Sequence, residues 1–176
     1  MPKQTIIKLR NNFKGKQNST KRKTTTYHKV DKIGILIQAK ELKNSSAINT
    51  FVNRLKSEGK KVSVLCFSEN ESTLYFDFDF DQFTLKDISW GGNITKSSVN
   101  LFTAQTFDYL MCLTIHATPA IERILIESNA FCRAGLQHNN NESLLDLMIY
   151  SNNENITPAI IGEEILDLVQ KIKTND

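Results

Sequence analysis

Lys32–Gln38 (KIGILIQ) and Lys61–Ser68 (KVSVLCFS), with a helical pattern between them, decide the fold. Each is a short apolar run rich in β-branched residues, the mark of a buried strand. Between them Asn44 and Ser45 offer a helix cap. Ala47, Ile48, Phe51, Val52 and Leu55 then recur at helical spacing, and Gly59 supplies the stop. Strand, about three turns of helix and a second strand describe a right-handed βαβ unit in a parallel sheet.

Toward the C-terminus the alternation continues. Leu74–Phe83 (LYFDFDFDQF) has strand periodicity with one apolar and one acidic face. Ser89-Trp90-Gly91-Gly92-Asn93 is turn chemistry, and Asp108–Ile115 is a strongly apolar strand. Thr118-Pro119 opens a helix running through Ala130, with Ile121, Ile124 and Leu125 inward. Ala130–Leu136 and Leu144–Tyr150 are further strands around the loop HNNNES. Thr157-Pro158 starts a terminal helix carrying Ile161, Ile165, Leu168 and Ile172. The tetrapeptide TPAI at 118 and at 157 is shared helix-start chemistry, too short to be a repeat. Residues 31–176 are therefore expected to form a three-layer α/β domain with a mostly parallel sheet of about five strands.

Residues 1–30 differ in kind. They hold nine Lys or Arg and no acid; counted through Lys32, ten cations face Asp31 alone, while the remaining chain holds twelve cations and eighteen acids. This asymmetry predicts a basic, polyanion-binding N-terminal arm on a neutral-to-acidic domain. In Lys3–Lys14 the apolar Ile6, Leu9 and Phe13 fall at i, i+3 and i+7, predicting a short amphipathic helix. Residues 15–29 (GKQNSTKRKTTTYHK) lack periodicity and read as a flexible linker.

Composition narrows the class. Seven Gly and three Pro exclude collagen-like and low-complexity organisation. The three cysteines, Cys66, Cys112 and Cys132, are odd in number and lie in apolar runs, predicting buried reduced thiols in a cytoplasmic protein. The most apolar stretch, Tyr109 to Ile126, is interrupted by His116, Pro119, Glu122 and Arg123, short of the roughly 18 apolar residues that a membrane helix takes. The basic N-terminus lacks the continuous apolar stretch of a secretory signal.

Three groups of residues carry candidate chemistry. Lys3, Lys8, Arg10, Lys14, Lys16, Lys21, Arg22 and Lys23 would neutralise phosphates, and Tyr27 and His28 would stack on unpaired bases; the alternative is a solubilising tail. No recognition helix or zinc pattern points to a DNA sequence reader. The Ile6/Leu9/Phe13 face keeps an anionic membrane surface as a second partner. Asp77, Asp79 and Asp81 share one strand side, where they would hold Mg²⁺ or Mn²⁺ or form the solvated face of an edge strand. Their D-x-D spacing looks like that of metal-dependent glycosyltransferases. Thr114, His116 and Thr118 fall at the carboxyl end of a central strand beside a helix start, where they would line a small anion pocket or serve structure alone. No glycine-rich phosphate loop occurs, and AKELKNSS after the first strand lacks glycine, so no cofactor is expected.

The order KIGILIQ, LKSEGKKVSVLCF, DISWGG, FDYLMCLTI, SNAFCRAGL and LLDLMIYS resembles a family of uncharacterised short proteins from Bacteroidota, over most of residues 1–173. That resemblance implies a Rossmann-like body in a cytoplasmic bacterial protein with no assigned activity. Phe107–Leu136, with its NAFCRAGL, also looks like one half of heptosyltransferases, which implies an acceptor-binding half without the second, nucleotide-sugar domain. The function expected is non-enzymatic association with RNA, on ribosomal particles, through the arm. The alternatives are a small ligand-binding or transferase-like module near His116, and peripheral membrane attachment.

Overall fold

Strand β1 (Lys32–Gln38) has six of its seven residues buried, and a strand with no solvent face must be covered by helices on both sides. In the computed structural model, which describes residues 3–14, 21–42, 46–70, 80–137 and 142–173 (residues 12–14 by backbone only), both layers are present. Helix α1 spans Lys3–Lys14 and α2 spans Ser46–Ser57. Strand β2 is Lys61–Ser68 and pairs with β1 in parallel from Lys32↔Lys61 to Gln38↔Phe67. The glycine stop after α2 is a two-bond cap. Gly59, at φ +81°, donates to the Lys56 carbonyl, and Lys60 to that of Leu55.

Strand β3 (Asp81–Thr84) lies outside β2. The chain then crosses back through α3 (Ser97–Ala104) to β4 (Tyr109–Cys112) on the other side of β1. Helix α4 (Pro119–Glu127), β5 (Cys132–Leu136), β6 (Leu147–Ile149) and α5 (Pro158–Lys171) complete the order. All six strands are parallel, in the order β3-β2-β1-β4-β5-β6. Connections running outward in opposite directions from β1 put their helices on opposite faces when each crossover is right-handed. Accordingly Ile33, Ile35 and Ile37 share one core with α2 and α5, while Leu36 shares the other with α3 and α4.

The structure departs from the sequence reading in several places. Six strands replace about five, and α3 buries Val99, Phe102 and Thr103 while leaving Leu101 exposed, so its apolar residues do not mark an inward face in sequence. The strand expected over 74–83 is described only as Asp81–Thr84; 71–79 lie outside the described residues. The largest difference is the leader. Helix α1 has the expected bounds, but it packs on α4 with Ile7 fully buried in the second core. Its inward residues are Gln4, Ile7 and Asn11, whereas Leu9 is 49% exposed, so the Ile6/Leu9 stripe is not the docking face. Polar anchors set this rotation, among them Asn11 Nδ2 donating to the Pro119 carbonyl at 2.9 Å. A count of apolar spacing does not register them.

Residues 21–31 then pass beneath the amino ends of the strands. The Lys23 N–H donates to Phe131 O (3.1 Å), Tyr109 Oη donates to Thr25 O (2.7 Å), and Asp108 accepts from the N–H groups of Asp31 and Lys32. The described parts of the leader are thus built into the domain, not separate from it.

Two glycines let elements approach closely. A Cβ on Gly162 of α5 would sit 2.9 Å from the Phe51 ring of α2, and one on Gly34 of β1 would sit 2.9 Å from the Phe107 ring. Gly34→Ala should therefore destabilise the protein by about 1–3 kcal/mol in urea unfolding, and Phe107→Leu should recover part of that loss in the double variant.

Candidate functional site

The strand order reverses between β1 and β4, and in parallel sheets this switch point opens a crevice at the carboxyl ends of the two strands. Here the chain fills the crevice with its own polar groups. A 3₁₀ turn at Ala39–Glu41 follows β1 directly. It swings the Glu41 carboxylate across to the segment after β4, where Oε2 accepts from the Ile115 N–H (2.8 Å) and Oε1 from the His116 N–H (2.9 Å). Gln38 Nε2 donates to Glu41 Oε1 (3.0 Å) and to the His116 carbonyl (2.5 Å). Gln38 is 1% exposed, and its Oε1 finds no hydrogen-bond partner. Burial pushes the Glu41 carboxyl above its ordinary range, against the two backbone N–H groups that favour the charged form.

Beside this network, a cavity of about 220 Å³ opens between the starts of α2 and α5, lined by Glu41, Leu42, Ile48, Thr157, Pro158 and neighbours. Thr157 caps α5 by accepting from the Ile160 N–H at 3.3 Å. Five of the seven lining residues are apolar, so the cavity suits a compact, weakly polar ligand.

Thr114, His116 and Thr118 sit in different settings. Thr114 is buried with its hydroxyl 3.3 Å from the Cys112 sulfur, beside a cavity of about 10 Å³. His116 is exposed; its backbone N–H donates to Glu41, and its side chain also acts electrostatically on that carboxylate. Thr118 precedes α4, with its hydroxyl buried and making no side-chain cap bond. Of the three aspartates, Asp77 and Asp79 lie outside the described residues, and Asp81 is exposed at the start of β3. Among the described residues no three His, Cys, Asp or Glu side chains group as metal ligands.

The leader cations fall into two sets. Lys3 Nζ donates to the Leu85 carbonyl (2.5 Å) and lies 5.8 Å from the Trp90 ring centroid. Arg10 donates to the Gly91 carbonyl and to Asn93 Oδ1 (2.7 Å). Arg22 donates to the Ala130 carbonyl and lies 3.8 Å from the Asp146 carboxylate. Lys8, Lys21 and Lys23 are exposed; Lys8 acts electrostatically on Glu122, and Lys23 Nζ lies 4.1 Å from the Phe131 ring centroid. Lys14 is described by backbone only, and Lys16 lies outside the described residues. Tyr27 donates to the Glu58 carboxylate beneath Lys60, whose Nζ lies 4.5 Å from its ring centroid.

Sequence reasoning missed Gln38 and Glu41. The signal was present, since a Gln closing an apolar strand and a Glu three residues later can meet across one 3₁₀ turn. Without the fold, nothing brings Glu41 to residues 115 and 116.

These features define a Rossmann-like α/β protein whose switch point is closed by an internal carboxylate. The chain matches the model of a family of unknown function, DUF6913, over residues 3–168, and it belongs to that family. No curated protein and no solved structure matches it. Among the described residues, no helix is long and apolar enough to cross a membrane.

Burial also governs the thiols, pushing Cys66 and Cys132 up to about 12 and Cys112 to about 11. Ellman's reagent at pH 8 should therefore find no reactive thiol in the native protein and all three in guanidinium chloride, read at 412 nm.

Proposed function

We propose that this is a non-enzymatic, RNA-associated protein of the bacterial cytoplasm that holds phosphate backbone through its leader, with ribosomal particles as its host. The observation behind this reading is how the leader cations are held. Lys3 and Arg10 bond to neutral carbonyl and amide oxygens and have no carboxylate partner among the described residues; only Arg22 of the three has one. Bonding to neutral oxygens fixes position while leaving the positive charge in force. A chain of net charge +3 carries its cationic excess within residues 1–30. Cations held on a rigid surface also lose less freedom on binding than cations on a tether.

A second reading is favoured by the 220 Å³ cavity next to Glu41: a small-ligand module acting at the strand ends. The Glu41 carboxylate, which lines the cavity, would orient a ligand there, and the apolar lining would supply its affinity.

Each reading has its own experiment. Because Ile7 and residues 21–31 belong to the domain, the RNA test uses the full chain, not one truncated to start at Asp31. With about six phosphate contacts, log affinity for a single-stranded oligonucleotide should fall against log salt with a slope of roughly −4. Lys8→Gln, Lys21→Gln and Lys23→Gln together should make that slope less steep by about 2; a flat salt response in the wild type would remove the reading. For the cavity, benzyl alcohol should raise the melting temperature of the wild type and not that of Ala159→Phe. Equal responses would remove the ligand reading.

A further inference from the structure

We propose that the Ser89–Asn93 turn and helix α1 together form a stacking site for an unpaired nucleobase, with Trp90 as the ring and Lys3 and Arg10 as the flanking cations. The inference rests on the RNA reading above and locates where a base, as distinct from a phosphate, is held.

Trp90 is 69% exposed, an unusual position for a side chain that normally covers much of its surface. Its backbone is rigid. The Ser89 N–H donates to Asn93 O (2.8 Å), the Gly92 N–H to Ser89 O (2.9 Å), and the Asn93 N–H to Ser89 Oγ (3.0 Å). The Ile88–Ile94 bridge closes the base of the turn. Gly92 sits at φ +72°, and a Cβ there would lie 3.1 Å from Arg10 Cδ, so glycine admits both the turn and the arginine against it. Arg10 ties the turn to α1 through Gly91 O and Asn93 Oδ1, and Lys3 lies over the indole. The nearest acid in the chain, Asp87, is occupied by the backbone and hydroxyl of Thr84 (2.8 and 3.3 Å).

An exposed ring on a preorganised support, flanked by cations, is the arrangement that binds single strands: the π-face takes a base of any identity and the cations take the adjacent phosphates. Insertion into an anionic bilayer would call for a cluster of apolar side chains. The groups bonded around Trp90 are instead amides, hydroxyls and cations.

Trp90 is the single tryptophan of the chain, so its emission reports on this site alone. Full-length protein is titrated with a twelve-nucleotide oligoadenylate, following tryptophan emission, while anisotropy of the same labelled oligonucleotide gives the affinity. The site predicts saturable quenching with a midpoint at the anisotropy Kd. Trp90→Ala should weaken binding about 5- to 150-fold with an unchanged salt slope, and Trp90→Phe should retain most of the affinity. Circular dichroism confirms that both variants are folded. Oligonucleotide binding with unchanged emission, or a Trp90→Ala variant that binds like the wild type, overturns the stacking site and leaves the phosphate reading standing. Absence of any anisotropy change overturns both. A blue shift on phosphatidylglycerol vesicles without a response to oligoadenylate assigns the ring to a membrane surface and also overturns the proposal.

Discussion

Burial of β1 on both faces is the constraint from which the rest of the structure follows. Ile33, Ile35 and Ile37 point into one core and Leu36 into the other, so neither side of the sheet can be left to water. Right-handed crossovers then dictate that strands added on opposite sides of β1 bring helices to opposite faces. The close approaches at Gly34 and Gly162 belong to the same requirement: the layers meet at distances that a methyl group would violate. Helix α1 adds Ile7 to the second core, which makes a cationic segment part of the cover.

That placement separates two properties that composition alone runs together. A segment rich in Lys and Arg is expected to be mobile because its charges repel and its apolar content is low. Here one fully buried isoleucine, Asn11 and a set of bonds to backbone carbonyls hold it down. At Lys3 and Arg10 the bonds to neutral oxygens bring no counter-charge, whereas Arg22 meets the Asp146 carboxylate. Through Lys3 and Arg10 the turn bearing Trp90 is fastened to α1.

The candidate sites were legible to different degrees. The leader cations were visible as a count, yet which of them anchor and which face solvent depends on partners 80 or more residues away, such as Leu85, Gly91 and Asn93 for Lys3 and Arg10. The position of His116 just past the end of a central strand was legible. Glu41 was not, because a turn on the neighbouring strand brings its carboxylate to the backbone N–H groups of Ile115 and His116. No side-chain pattern marks those backbone donors. Trp90 was legible only as a residue in a turn, since exposure is a property of what does not pack against it.

Local chemistry settled the elements. Apolar runs with β-branched residues gave β1 and β2, a strongly apolar run gave β4, Thr-Pro pairs started α4 and α5, and Gly59 ended α2; these are short-range steric and hydrogen-bonding effects written into neighbouring residues. Tertiary structure decided the order of strands beyond the first pair, the face on which α1 docks, and the closing of the switch point by Glu41. Each of these is a long-range contact whose energy exists only after both partners have been placed, so no window of sequence contains it.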